Sequence, residues 1–161
     1  MRRLVPIAAS VAAAGLSLGS FAVVAAEPGI ALTGLVDHPL TLTLTDLRGF
    51  PSVHVAATQV SGKGPVRLDC SGAAVNALLD KAGLNLGKAN NARLAHGLLV
   101  TADDGYAVMV SLGEIDPDYG NEQAIIATDC GGQALDAPRL VMPADKHGGR
   151  AVRGVAKIEV K

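Results

Sequence analysis

Residues 70–83, Cys-Ser-Gly-Ala-Ala-Val-Asn-Ala-Leu-Leu-Asp-Lys-Ala-Gly, carry the clearest helical signal in a chain whose other segments read mostly as strands. Val75, Leu78, Leu79 and Ala82 recur at i, i+3, i+4 and i+7, so a helix here lays one apolar stripe on a core. Ser71 suits the N-cap, because its hydroxyl can accept from a first-turn N–H that has no partner inside the helix. Gly83 has no Cβ and takes a positive φ at little cost, which ends the helix. Just upstream, Val66-Arg67-Leu68-Asp69-Cys70 alternates with the period of a strand, placing Val66, Leu68 and Cys70 on one face. The expectation is a strand that feeds directly into the helix covering its sheet.

Toward the N-terminus, Ser61–Pro65 reads as a flexible hairpin connection, and Val53–Ala57 as a strand with His54 pointing to solvent. The Leu/Thr alternation of residues 40–45 predicts a strand with one buried face, followed by a short turn or single helical turn over Asp46–Pro51. Toward the C-terminus, residues 84–96 read as loop. Leu98–Thr101 and Tyr106–Val110 flank Ala102-Asp103-Asp104-Gly105, a hairpin signal in which glycine supplies positive φ. The adjacent carboxylates of that turn diverge, so they are read as turn formers and not as an acid–base pair.

Ser111-Leu112-Gly113-Glu114 is a capping box, predicting a short helix that ends before Pro117. Residues 124–128 form an apolar strand, Cys130–Gln133 a turn, and Arg139–Met142 a strand ending at Pro143. In Ala151–Lys161 the alternation sets Val152, Gly154, Ala156, Ile158 and Val160 on the inner face. One α+β domain with a mainly antiparallel or mixed sheet and few short helices accounts for this order.

The chain of 161 residues opens with Arg2 and Arg3, followed by an uncharged run rich in Ala, Val and Leu that ends in Val24-Ala25-Ala26. That positive–apolar–small order predicts a signal peptide over residues 1–26 and a domain over residues 27–161, periplasmic or secreted. A membrane anchor is the alternative. The many Ala, Gly and Ser residues and the cleavage-like end favour export, with no membrane association afterwards. Formal charge is −1, and removing the two leading arginines makes the rest more acidic. A nucleic-acid surface would be basic, so that class of partner is excluded. The only aromatics beyond the signal are Phe50, Tyr106 and Tyr119, too few for base-stacking platforms. Two cysteines in an exported chain point to a Cys70–Cys130 disulfide, with a reactive thiol or a metal ligand as the other option.

Several of these segments also carry a family resemblance. Cys70–Leu79 resembles the aromatic-x-Gly-Val-x-Leu-x-x-Leu-Leu helix start of the molybdopterin-binding domain in sulfite-oxidase-type oxidoreductases, with Cys70 in the aromatic position. Gly34, Val36, Pro39, Leu42, Thr43, Leu44, Asp46, Leu47 and Pro51 fall in place on that family's Gly-x-Val-x-x-Pro-x-x-Leu-Thr-Leu-x-Asp-Leu-x-x-x-Pro segment. Asp104-Gly105-Tyr106 is similar to its Asp-Gly-Tyr hairpin, and Gly132-x-Ala134-Leu135 to its Gly-x-Pro-Leu turn. Pro138–Pro143 resembles Pro-x-Arg-Leu-Val-x-Pro, and Gly148–Val155 resembles Gly-x-Lys-x-Val-Lys-x-Val, followed by Ile158-Glu159-Val160. The likeness runs in order over residues 31–160 and implies the sulfite-oxidase-type molybdopterin-binding fold.

The resemblance also implies a site. In those enzymes a cysteine thiolate binds molybdenum from the loop before the helix that starts here at Cys70, because a soft anionic ligand suits the metal. The corresponding segment Ala57–Gly64 has no cysteine; Gln59 and Ser61 are the nearest polar side chains, and neither is anionic at neutral pH. Cys70 lies later in the chain and could serve as the metal ligand only by leaving the core. The basic run Lys146, His147, Arg150, Arg153 and Lys157 is the second constellation. Gly148, Arg150 and Arg153 correspond to the glycine and cations that hold the pterin phosphate, so His147, Gly148, Arg150 and Arg153 form a candidate anion or pterin-phosphate site. A solvated loop and strand face is the other reading of that run. The four histidines, at 38, 54, 96 and 147, have no metal-ligand spacing.

Two functions follow as expectations. The first is an exported, non-catalytic domain that binds a small anionic ligand or a protein partner and carries no cofactor. The alternative is a molybdopterin-dependent oxidoreductase with an altered metal ligand.

Overall fold

The computed structural model describes residues 29–161, so the expected signal, residues 1–26, lies outside the described residues. Nine strands and three helices are described: β1 (Gly29–Gly34), β2 (Leu40–Thr43), α1 (Leu44–Arg48), β3 (Ser52–Ser61), β4 (Gly64–Ala74), α2 (Val75–Ala82), β5 (Gly97–Ala102), β6 (Ala107–Ser111), α3 (Leu112–Ile115), β7 (Ile125–Cys130), β8 (Gln133–Val141) and β9 (Val155–Val160). They form a five-stranded sheet in the order β2-β1-β9-β5-β6 and a four-stranded sheet in the order β3-β4-β7-β8. Only the β1–β9 pair is parallel. This is the expected single α+β domain with mixed and antiparallel sheets.

The strand-to-helix stretch forms both elements, with the boundary at Ala74 and not at Ser71. Ser71, Gly72, Ala73 and Ala74 are held in the ladder with β7, opposite Asp129, Ala127, Ile126 and Ile125. Ser52–His54 of β3 pair with Ser71–Ala73 on the other side. Backbone bonds to two neighbours outweigh one side-chain cap, so Ser71 stays extended. Ala74 then caps α2 without a side-chain bond, and the Val75 N–H donates to the Ala124 carbonyl at 2.9 Å. At the other end Gly83 has φ +70°, and its N–H donates to the Leu79 carbonyl at 2.9 Å. Val75, Leu78, Leu79 and Ala82 are all buried, as the periodicity predicts. They share one core with Ile30, Leu32, Leu98, Ile126, Leu140 and Ile158, which come from both sheets. A smaller core, with Val55, Leu68, Cys70, Ile125 and Val141, belongs to the four-stranded sheet alone.

Five local readings are corrected. The strand expected over residues 40–45 stops at Thr43, which caps α1: the Asp46 N–H donates to Thr43 Oγ1 at 3.1 Å, and the Thr43 N–H donates to Asp46 Oδ2 at 2.9 Å. In the 84–96 loop, Ala92–Ala95 makes a 3-10 turn. β8 begins at Gln133 because Gly131 and Gly132, with φ +62° and +75°, close a tight two-residue hairpin. In β9 the register against β5 slips between Thr101 and Ala102, leaving Ala156 as an extra residue. That bulge reverses the side-chain phase, so Val155 is buried along with Val152, Ile158 and Val160. Val66, expected on the inner face with Leu68 and Cys70, is 44% exposed near the β3–β4 hairpin tip.

The capping box at Ser111 forms as expected, with the Ser111 N–H on Glu114 Oε2 at 3.1 Å and the Gly113 N–H on Ser111 Oγ at 3.2 Å. So does the disulfide: Cys70 and Cys130 are direct partners on β4 and β7, with Cα atoms 4.1 Å apart. No helix among the described residues is long and apolar enough to cross a membrane.

Candidate functional site

After β8 the chain turns at Pro143 and runs back along the four-stranded sheet before entering β9. Two backbone ties fix this return. The Val60 N–H donates to the Lys146 carbonyl at 2.7 Å, in a parallel bridge between Val60 and His147. Further on, the Leu140 N–H donates to the Val152 carbonyl at 2.8 Å, and Arg139 pairs with Arg153 in an antiparallel bridge. Between the returning segment and the β3–β4 hairpin lies a cavity of about 240 Å³. Gln59, Arg139, Gly148 and Arg153 line it, together with Val66 and Leu68.

The cavity is cationic and lacks a counter-charge. Among the described residues, no carboxylate forms an ion pair with Arg139 or Arg153. Arg139 Nε is buried with no hydrogen-bond partner. Burial, and after it the charge of Arg153, holds the Arg139 guanidinium below its ordinary pKa. Gln59 is buried beside it and donates from Nε2 to the Met142 carbonyl at 3.1 Å. Its Oε1 lies where a Cβ added at Gly148 would come within 3.4 Å, so Gly148 leaves that carbonyl room. Two guanidiniums lining one cavity, with no carboxylate on either, are the arrangement that an anion completes.

Of the four residues expected at an anion site, Gly148 and Arg153 line this cavity. Arg150 does not. It reaches Asp145 through Nε at 3.0 Å and Nη2 at 2.6 Å, and Glu114 through Nη1 at 3.0 Å. Glu122 stands 4.0 Å from Nη2. The hydrogen bonds from Asp145 and Glu114 hold the Arg150 guanidinium above its ordinary pKa. Arg150 therefore clamps the returning segment to α3. Burial pushes the Glu122 carboxyl up, although it accepts from the Ala144 N–H at 3.1 Å. His147 contributes its backbone to the bridge with Val60.

Spacing does not mark Arg139 as a site residue, although it stands inside the Pro138–Pro143 motif. Its one signal in the sequence is a lone cation between two apolar neighbours, Pro138 and Leu140, and both are buried in the fold. Two other polar groupings are already paired. His54 Nε2 meets Asp69 Oδ1 at 2.6 Å on an exposed face. A second hollow, of about 350 Å³, has its buried carboxylate, Asp116, matched by Arg93 at 3.0 Å. Among the described residues, no group of three or more His, Cys, Asp or Glu side chains could hold a metal ion.

Compared with known proteins, the sequence matches no family model and no curated protein. The fold does have a counterpart. The sulfane dehydrogenase SoxCD from Paracoccus pantotrophus superposes with a TM-score of 0.66 at 19% identity, over 82% of this chain and 37% of that one. The two share a fold. The likeness to a sulfite-oxidase-type domain, read from ordered motifs, therefore holds at the level of architecture. The chain spans little more than a third of its neighbour's length. Both cysteines are bonded to each other, so neither sulfur is a thiolate while that bond is closed.

Proposed function

We propose that this chain is an exported, non-catalytic module on a sulfite-oxidase-type fold that binds a small anion between Arg139 and Arg153. One observation carries the reading: two guanidiniums line one cavity with no carboxylate, and one of them has a buried, unpartnered Nε. An uncompensated, partly buried charge is costly, and a bound anion offsets that cost with charge-assisted hydrogen bonds. The cavity, at about 240 Å³, falls below the roughly 300–1,000 Å³ typical of drug-sized ligands, which favours a small one.

The donor set does not suit a molybdenum–pterin group. Metal binding of that kind calls for a thiolate, and Cys70 and Cys130 are both oxidised in their shared disulfide. Export is supported by the Arg2-Arg3 and apolar leader, and by a disulfide that persists in oxidising compartments.

Isothermal titration with inorganic phosphate at constant ionic strength tests the reading. Saturable binding to the wild type, weakened about tenfold or more in Arg139→Met and in Arg153→Met, is expected. An equal response in all three proteins contradicts it. Stoichiometric molybdenum and pterin in protein from its native host, with sulfite or sulfoxide turnover lost in Cys70→Ser, would establish the oxidoreductase alternative instead.

A further inference from the structure

The cavity is two-sided, and the second side tells what kind of anion fits. Arg139 and Arg153 line it, and so do the apolar side chains of Leu68 and Val66, which share one face of β4. Leu68 is buried, but Val66 is 44% exposed. A lone exposed valine on a surface needs no explanation. Here it lies beside a buried leucine in a cavity that two guanidiniums without counter-ions also line. The volume adds a further constraint. A water molecule takes about 30 Å³ of liquid, so a bare tetrahedral oxyanion would leave most of a cavity of about 240 Å³ unfilled.

Resting on the anion-site reading above, we infer that the ligand is a small organic carboxylate with a short apolar body. Its planar head matches the fork of a guanidinium, which holds carboxylates through two parallel N–H···O bonds. The carbon chain lies against Leu68 and Val66 and removes their apolar surface from water. Gln59, already committed to the Met142 carbonyl through Nε2, keeps that edge of the cavity fixed.

Titration of the full domain with acetate, butyrate and hexanoate, and in parallel with phosphate, tests the inference. Each buried methylene adds about fourfold in affinity. Hexanoate is therefore expected to bind far more tightly than acetate or phosphate, until the apolar wall is covered. Val66→Ser, at an exposed position that the fold does not need, is expected to shrink the gain from acetate to hexanoate. Arg139→Met is expected to weaken every anion about tenfold or more. Phosphate and all three carboxylates binding alike, with no dependence on chain length, would overturn the organic-ligand inference and leave the anion site standing. No binding of any of the four to the wild type would instead remove the site itself.

Discussion

Cys70 and Cys130 stand directly opposite each other on the neighbouring antiparallel strands β4 and β7, and their sulfurs are bonded. The flanking pair is held by the backbone: the Gly131 N–H donates to the Asp69 carbonyl at 2.7 Å. This places the cysteines at the close-approach position of the ladder, where Cα atoms lie about 4.5 Å apart and side chains meet. One covalent bond thus serves the smaller core and also withdraws both thiols from metal chemistry.

Removing that bond is expected to destabilise the domain. The cysteines are separated by 60 residues, a loop whose closure is worth about 4 kcal/mol on the chain-entropy estimate. The Cys70→Ala/Cys130→Ala variant should therefore unfold at markedly lower urea than the wild type. Equal midpoints, or a wild type that is indifferent to reductant, would count against a closed bond.

Arg150 is expected to matter to stability far more than to binding. Arg150→Met leaves Asp145, Glu114 and Glu122 facing one another without their cation. Losing charge-assisted bonds of this kind costs about 2–3 kcal/mol. Arg150→Lys should recover only part of this, since an ammonium cannot reproduce the fork on Asp145. Chemical denaturation measures both; a loss below about 0.5 kcal/mol, the ordinary surface range, contradicts the clamp.

Two carboxylates should shape the acid limb in opposite senses. Hydrogen bonds from Lys157 and Lys161 hold Glu159 at about 2, below its ordinary 4.5. Its contribution is therefore present above pH 4.5 and lost as pH falls toward 2. Burial raises Glu122, so its contribution is largest at low pH and declines as pH rises through that raised value. Stability measured against pH should fall less steeply below pH 4.5 in Glu159→Gln. Glu122→Gln, which keeps an acceptor for the Ala144 N–H, should be at least as stable as the wild type at pH 7.

Gly72 allows β4 and β7 to come together. A Cβ at this position would overlap the Ile126 carbonyl and the Ala127 Cα, both backbone atoms that cannot swing away. Gly72→Ala is expected to cost about 1–3 kcal/mol, the usual range for overpacking. Gly62→Ala is the matched control, with nothing within 4 Å of the new methyl. Equal thermal midpoints for the two variants would show that the strands can part at no cost.

Much of the architecture is written in periodicity. Val75, Leu78, Leu79 and Ala82 announce α2, and Ser111 with Glu114 announces α3. Boundaries fared worse wherever backbone pairing competes with a local signal. Ser71 is a good cap by chemistry, yet two partner strands hold it extended. Val155 looks outward by alternation, yet an extra residue in β9 turns it in. The site was half legible. Gly148 and Arg153 come from a recognisable basic run, but that run does not reveal that Arg150 faces three carboxylates. Nor does spacing reveal Arg139, which reaches the cavity through the pairing of β8 with the segment before β9.

The most direct measurement is the thermal midpoint of the wild type and Arg139→Met, each with and without phosphate at fixed ionic strength. Without phosphate, Arg139→Met should be at least as stable as the wild type, because it removes a half-buried cation that no carboxylate pairs with. Phosphate at about a hundred times its dissociation constant should stabilise the wild type by about 2.7 kcal/mol and the variant, with its tenfold or weaker binding, by no more than about 1.4 kcal/mol. A variant that is less stable than the wild type, with phosphate shifting both proteins equally or neither, would contradict an anion site at Arg139 and Arg153.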